Sequence, residues 1–217
     1  DYDIAHESPD AAVFVKPYNY LPDGFYIEDV RKTANVCAYV PYGMMLDTED
    51  PESMRLRYKL PTQYLADIVL CDDNSQLAAA RKNAFHDCKN FYAAGNPRLD
   101  LLNLEPDDTV KSACKKITRA ADGRKIIFWN THHDMSDNPG ACGSFRKYGS
   151  TVLDFCRENH DIFLLWRPHP LFKGAIERWL GTEKSKEFWN NVSIIENLKV
   201  DSCPTYHAGL KTADIFL

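Results

Sequence analysis

The stretch Ile162-Phe163-Leu164-Leu165-Trp166-Arg167-Pro168-His169-Pro170 decides how the rest of the chain is interpreted. Its leading run of apolar residues predicts a strand that is buried on both faces, as in a parallel sheet. Because proline has no N–H to give to a strand ladder, Pro168 and Pro170 are predicted to end the strand and to stiffen the loop after it. Arg167 and His169 then lie at the carboxyl end of the strand, where open α/β sheets bind ligands. A guanidinium and an imidazole at that place suit a phosphate ester; the alternative is a strand end with a surface arginine and a capping histidine.

Segments that predict strands alternate with segments that predict helices along the whole chain. The predicted strands are residues 12–15, 36–40, 68–71, 91–94, 125–129, 162–166, 192–195 and 214–217. Strands that alternate with helices form parallel sheets, so we predict an α/β fold with two Rossmann-like domains. We assign residues 1–103 to the first domain, 104–123 to a linker helix with one apolar stripe, and 124–217 to the second domain. The chain begins with Asp1 and stops in a predicted strand, so both domains are expected to be incomplete.

The composition excludes several classes of protein. A net charge of −5 over 217 residues provides no global positive field, so nucleic acid is not an expected partner. The seven cysteines are scattered and contain no CxxC pair, which favours a reduced, cytoplasmic protein over a disulfide framework. No apolar run has the length of a membrane span, and no signal peptide opens the sequence.

Two predicted strands of the second half end in histidines. His132 and His133 follow one of them, and His169 follows the other. If these strands are neighbours, three imidazoles and the guanidinium of Arg167 converge on a crevice of about the size of a diphosphate. Phosphoryl transfer depends on donors and positive charge around the phosphate oxygens more than on covalent help from the protein.

Neither a metal nor a cofactor is expected. Adjacent side chains on an extended chain point apart, so His132 and His133 are poorly placed to share one ion. The sequence has no Gly-rich dinucleotide loop, no Walker loop and no GxSxG elbow, which argues against a dehydrogenase, a P-loop enzyme and a serine hydrolase.

An ordered set of motifs resembles the CDP-glycerol glycerophosphotransferase family, of the teichoic-acid polymerase type. Residues 95–100, Gly-Asn-Pro-Arg-Leu-Asp, are similar to the G-x-P-R-x-D turn of that family. Residues 126–134 resemble its strand that ends in P-T-x-R-D, and residues 167–170 resemble its R-x-H-P strand end. Residues 201–215 are similar to its D-S…Y…L…A-D-I segment. The resemblance runs from about residue 66 to the end of the chain.

The resemblance implies a GT-B fold, with the nucleotide on the second domain and the acceptor hydroxyl presented by the first. His169 would be the catalytic residue, near the donor pyrophosphate. The implied substrate-binding residues are Arg167, Thr131, His132, His133 and Ser202. The implied reaction moves glycerol phosphate or ribitol phosphate from a CDP-alditol to a polyol-phosphate or glycan acceptor of the cell wall or capsule, and CMP leaves. The expected location is the cytoplasm, with the inner face of the cell membrane as an alternative and the membrane surface as a further partner.

The chain departs from the family pattern in three places. The arginine of P-T-x-R-D is replaced by His133, which predicts weaker or pH-dependent binding of phosphate. The W-H-G motif, whose histidine is the usual general-base candidate, is absent. The serine-rich loop expected after Leu217 is also absent, so part of the nucleotide site is expected to be missing and the chain to be inactive as it stands.

Two other functions remain open from the sequence. A UDP-sugar 2-epimerase, or another GT-B glycosyltransferase, has the same architecture, and Gly95-Asn96 fits the G-N-x-x-x-D turn of an epimerase. An epimerase is, however, expected to carry an H-R-R-E-N loop where this chain has His132-His133-Asp134-Met135. The third reading is a degenerate domain without catalysis, which binds a polymer or a partner protein.

Overall fold

The chain forms two compact units, each built around one parallel sheet. The computed structural model describes residues 3–17, 21–43, 51–136 and 143–217. The units are Asp1–Leu101 and Leu102–Leu217. Each has a sheet of four strands, and every strand pair is parallel. The predicted α/β fold with two Rossmann-like parallel sheets is therefore confirmed.

The first unit has the strand order β1-β2-β3-β4. Its elements are α1 (Ile4–Glu7), β1 (Ala11–Phe14), α2 (Ile27–Val30), β2 (Val36–Tyr39), α3 (Pro51–Tyr58), α4 (Pro61–Leu65), β3 (Ile68–Cys71), α5 (Asn74–Asn83), β4 (Phe91–Ala93) and α6 (Pro97–Asn103), which ends in the second unit. Alternate strand residues, among them Cys37, Tyr39, Val69 and Phe91, are buried against the helices and form its core.

The second unit has the strand order β7-β6-β5-β8. Its elements are α7 (Asp108–Ala121), β5 (Lys125–Thr131), α8 (Phe145–Glu158), β6 (Ile162–Pro168), α9 (Phe172–Leu180), α10 (Thr182–Ser193), β7 (Leu198–Val200), α11 (His207–Thr212) and β8 (Ile215–Phe216). No helix in the described part of either unit is long and apolar enough to cross a bilayer.

Strands β5 and β6 are the centre of the second sheet, because both of their faces are covered. Trp129 is in register with Trp166, and the two rings stack with centroids 5.0 Å apart. They belong to a core on one face, where Phe145 also stacks on Trp166, while Phe128 and Leu165 belong to a second core on the other face. Two buried faces require apolar residues at every position, which explains the continuous run in the sequence.

The second unit differs from the sequence interpretation at two elements. Residues 104–123 were predicted as a linker helix, but α7 lies within the second unit and buries Val110, Ile117 and Ala121 in the core that contains Phe128. Residues 192–195 were predicted as a strand, but helix α10 continues to Ser193 and the strand is β7. A short apolar run at the end of a helix has the same pattern as a buried strand, so periodicity alone does not separate the two.

Candidate functional site

Three imidazoles meet at the carboxyl ends of β5 and β6. Thr131 is in register with Pro168, so the loops after these strands start side by side. The ring centroids of His133 lie 4.3 Å from those of both His132 and His169, and the centroids of His132 and His169 are 5.5 Å apart. The predicted convergence of the three imidazoles is confirmed. We refer to His132, His133 and His169 as the histidine cluster.

Backbone hydrogen bonds orient two rings of the cluster. The N–H of Asp134 donates to Nδ1 of His132 at 3.1 Å, and the N–H of Leu171 donates to Nδ1 of His169 at 3.1 Å. An Nδ1 that accepts a hydrogen bond places the proton of a neutral ring on Nε2. Nδ1 of His133 is buried and has no partner among the described residues. The cluster therefore offers fixed Nε2–H donors from two rings.

Burial and mutual repulsion keep these two rings neutral. Burial lowers the pKa of His132, and His133 lowers it further against the opposing effect of Asp134. The pKa of His169 is also lowered, first by burial and then by His133 and His132. A bound anion would oppose both effects, because it stabilises the imidazolium form. Among the described residues, no group of three His, Cys, Asp or Glu side chains is arranged to hold a metal ion.

An arginine that the sequence analysis missed lies beside the cluster. His132 and His133 line a cavity of about 450 Å³, whose opposite wall is Arg178 and Trp179 of α9. Helix α9 begins three residues after His169, so its last turns lie next to the loop after β5. Arg178 therefore provides a guanidinium beside the imidazoles. The sequence signal for it is only an arginine on a helix that follows a candidate loop.

Arg167 does not face the histidine cluster. Its guanidinium forms an ion pair of 2.6 Å with Asp201, and it also donates to the carbonyl of Thr205 at 3.3 Å. The Asp201 side chain is 5% exposed and that of Arg167 is 20% exposed, so the pair is largely shielded from water. Because neighbouring strand residues point to opposite faces, Arg167 lies opposite Trp166. Arg167 thus links β6 to the loop after β7, and its contact with phosphate stays a prediction.

Thr131 is also structural. Its side chain is buried, and its hydroxyl accepts a hydrogen bond of 3.0 Å from the indole Nε1 of Trp166. Its carbonyl accepts a bond of 2.9 Å from the backbone N–H of His169. The hydroxyl predicted to bind substrate is thus engaged inside the core, and Thr131 acts by holding the loop that carries His169.

Ser202 lies in a different cavity from the histidine cluster. It lines a space of about 580 Å³ together with Lys116 of α7 and Lys199 of β7. That cavity includes Leu165, whose side chain belongs to the opposite core of the sheet from Trp166. The structure therefore brings His132, His133 and His169 together. The side chains of Arg167 and Thr131 are engaged by Asp201 and Trp166, and Ser202 lines a different cavity.

A further cavity adjoins the cluster on the other side of His169. It has a volume of about 700 Å³ and lies between α9 and α10, with His169, Lys173, Trp189 and Asn190 in its lining. The indole Nε1 of Trp189 is buried and has no acceptor among the described residues. The histidine cluster therefore lines two cavities, one through His132 and His133 with Arg178, and one through His169 with Trp189.

The chain matches no known family profile and no curated protein. Its fold is similar to that of S. aureus MnaA solved with UDP, at 17% identity and a TM-score of 0.61, over 98% of this chain and 54% of that one. It is also similar to Methanocaldococcus jannaschii UDP-GlcNAc 2-epimerase in complex with UDP-GlcNAc and UDP, at 14% identity and a TM-score of 0.59, over 97% of this chain and 55% of that one. The chain spans about half the length of these structures. They identify a GT-B-like, two-domain architecture.

These matches correct the function predicted from the sequence. Transfer of an alditol phosphate from a CDP-alditol is contradicted, because the structural neighbours are UDP-GlcNAc 2-epimerases and favour the alternative that had been left open. The resemblance to the CDP-glycerol glycerophosphotransferase family remains a prediction, as do the teichoic-acid role and the membrane surface. The sequence His132-His133-Asp134-Met135 differs from the expected H-R-R-E-N loop of the epimerase pattern, because it contains no arginine.

Proposed function

We propose that this chain binds a UDP-sugar through the histidine cluster and belongs to an enzyme that acts on the sugar, of the UDP-N-acetylglucosamine 2-epimerase type. The observation that carries the proposal is the meeting of three imidazoles at the carboxyl edge of a parallel sheet, the edge at which such sheets take ligands. Support comes from the fold, which is similar to that of proteins solved with UDP and UDP-GlcNAc.

The cluster suits a diphosphate on electrostatic grounds. The Nε2–H groups of His132 and His169 are donors, and Arg178 adds a permanent positive charge at the cavity that His132 and His133 line. Hydrogen bonds to phosphate oxygens are strongest when the donor is charged, so the rings gain protons as the anion binds. In a reaction that weakens the bond between the sugar and the diphosphate, charge grows on phosphate oxygen. A proton held at Nε2 of His169 can then move to that oxygen.

The two cavities that the histidine cluster lines match the two ends of a nucleotide sugar. Uracil presents two carbonyl oxygens on either side of an N–H. The indole N–H of Trp189 needs an acceptor, and the Asn190 amide both donates and accepts, so the cavity between α9 and α10 suits the base. We assign the cavity lined by Arg178 and Trp179 to the sugar end of the ligand.

The proposal is tested by titration calorimetry with UDP and by an exchange assay with UDP-GlcNAc in D₂O. Inversion at C2 breaks the C2–H bond, so an epimerase introduces deuterium there. We expect His169→Gln to weaken UDP binding about tenfold, equivalent to about 1.4 kcal/mol. His160→Gln, which changes an exposed histidine outside the cluster, is the matched control and is expected to bind like the parent chain.

Two results would contradict the proposal. The first is the absence of UDP binding at millimolar concentration, which would rule out a UDP-sugar site at the histidine cluster. The second is tight binding of UDP without any exchange at C2, in the chain and in any longer form of the protein. This result would support a UDP-sugar site but rule out the epimerase reaction, and it would favour sugar transfer instead.

A further inference from the structure

We propose that the first unit carries a second ligand site, which binds a planar aromatic anion of nucleotide size. The site is a cavity of about 750 Å³ whose lining includes Arg31, Lys59, Tyr64, Phe85 and His86. It also touches the residues just before β3 and β4, so it lies at the amino edge of the first sheet. Parallel sheets take their usual ligands at the carboxyl edge, so this cavity is a different kind of site. The inference does not depend on the proposed function.

The floor of the cavity contains a hydrogen-bond donor without an acceptor. The backbone N–H of Cys88 donates to Nδ1 of His86 at 3.1 Å, which places the proton of the neutral ring on Nε2. This Nε2 is buried and has no partner among the described residues. The centroid of the His86 ring lies 6.3 Å from that of Tyr64 and 5.6 Å from that of Phe91. A buried donor of this kind costs free energy in the empty protein, and an oxygen of a ligand would satisfy it.

The walls of the cavity offer aromatic surface to solvent. Phe85 is 75% exposed, the largest exposure recorded for any described aromatic side chain, and Tyr64 is 45% exposed. The Nζ of Lys59 lies 5.1 Å from the centre of the Phe85 ring. Large apolar side chains exposed beside a cation are suited to stacking on a planar ring whose substituent is negatively charged.

The charge balance of the cavity favours an anion. Its cations are Arg31, Lys59 and Lys89, and its carboxylates are Asp67 and Asp87. Asp87 pairs with Lys89 at 2.7 Å, and Asp67 accepts a bond of 2.7 Å from the backbone N–H of Cys37. Arg31 and Lys59 have no carboxylate partner among the described residues, so both remain for a ligand.

The loop that carries Phe85 and His86 is held in place, as a binding site requires. The side-chain amide of Asn90 donates to the carbonyls of Gln63 and Ala66, at 3.0 and 2.8 Å, which fixes the end of the loop to α4. A site that is already ordered loses less conformational entropy when a ligand binds. The combination of a stacking wall, two unpaired cations and a buried donor points to an aromatic ring that carries a phosphate or carboxylate.

The test follows the ring resonances of His86 by NMR during titration with UMP, in a His169→Gln background that weakens binding at the histidine cluster. We expect a saturable shift of His86 at millimolar UMP or below, and binding at least about tenfold weaker for uridine or inorganic phosphate alone. Lys59→Gln and Phe85→Ala should each lower the affinity about fivefold or more. Lys82→Gln makes the same change as Lys59→Gln, and Tyr92→Ala removes another exposed aromatic ring. Both positions are outside the cavity, so both variants should leave the affinity unchanged.

Three results would overturn the inference. The first is no saturable shift of His86 with UMP. The second is equal binding of UMP and inorganic phosphate, which would mean an adventitious ion only. The third is an affinity that Lys59→Gln and Phe85→Ala leave unchanged, when the NMR spectra show both variants folded.

Discussion

The indole N–H of Trp166 donates a hydrogen bond of 3.0 Å to the hydroxyl of Thr131, inside the core of the second unit. Thr131 is the last residue of β5, directly before His132, and Trp166 lies three residues before His169. Because the carbonyl of Thr131 also accepts the backbone N–H of His169, the residue fixes both the strand end and the start of the loop. The placement of the imidazoles thus depends on a polar contact in an aromatic core.

Replacement of Thr131 by valine keeps the volume but removes the acceptor, and the Trp166 N–H is then buried without a partner. We expect a loss of about 1–3 kcal/mol in the free energy of unfolding, measured by denaturant titration. Thr131→Ser retains the hydroxyl and should lose less. Equal stability of Thr131→Val and the parent chain would show that the bond contributes nothing. If Thr131 instead contacts substrate, Thr131→Val would weaken UDP binding without any change in stability.

The ion pair of Arg167 with Asp201 predicts that removal of Arg167 lowers stability rather than affinity for UDP, whereas removal of a phosphate-binding arginine would lower the affinity. Removal of one member of a shielded pair leaves a charge without its partner, so Arg167→Gln and Asp201→Asn should each cost about 2–4 kcal/mol of stability. The affinity of the folded protein for UDP should stay within about twofold of the parent. Stability is measured by denaturant titration and affinity by calorimetry under conditions where the variants are folded. A large loss of UDP affinity in Arg167→Gln but not in Asp201→Asn would indicate that Arg167 binds UDP.

Binding of UDP should strengthen as the pH falls toward and below 6.5, the ordinary pKa of histidine. In the free protein the pKa values of His132 and His169 are lowered from 6.5, which favours the neutral form of both rings. A bound diphosphate raises them again, so binding takes up protons and is favoured by acid. Calorimetry in buffers of different ionisation enthalpy measures this uptake directly. Release of protons, or no uptake, would contradict it, and His132→Gln should reduce the uptake.

The same shifts predict how the stability of the free protein depends on pH. A lowered pKa in the folded state means that the unfolded chain binds protons more readily just below pH 6.5. The contribution of His132 and His169 to stability is therefore complete above that pH and is lost as the pH falls through the window between the unfolded and the folded values. His132→Gln should flatten this part of the stability curve, as measured by thermal unfolding at several pH values. A curve of unchanged slope would contradict the shift.

Gly209 in α11 allows the helix to approach β5. A Cβ added there would lie 2.7 Å from the Phe128 ring, which is itself buried, so Gly209→Ala should cost about 1–3 kcal/mol. Gly174 in α9 is the matched control, because its added Cβ would meet only the end of the Arg178 side chain, at 3.3 Å. Gly174→Ala should leave stability unchanged or raise it by up to about 1 kcal/mol, since alanine favours helix. Equal effects of the two changes would show that the contact with Phe128 is not limiting.

The sequence predicted the central strands and the histidine cluster because both depend on local rules. Two continuous apolar runs predict strands buried on both faces, and parallel neighbours bring their carboxyl ends together. The ion pair of Arg167 with Asp201 could not be predicted, because the two residues are distant in sequence, although strand alternation already set Arg167 opposite Trp166. Arg178 and Trp189 were missed for a related reason. They lie on helices, and only tertiary packing decides which helix side chains reach a strand end.

The aromatic stack around Trp166 allows the two units to be distinguished by optical spectroscopy. All four tryptophans of the chain, at positions 129, 166, 179 and 189, belong to the second unit, and Trp166 stacks on both Trp129 and Trp189. Emission excited at the red edge, and coupled near-ultraviolet circular dichroism bands, therefore report on that unit alone. The first unit contains tyrosine but no tryptophan, so it contributes almost no absorption or emission at those wavelengths. Melting of the second unit can thus be recorded in the intact polypeptide without a dye or an introduced label.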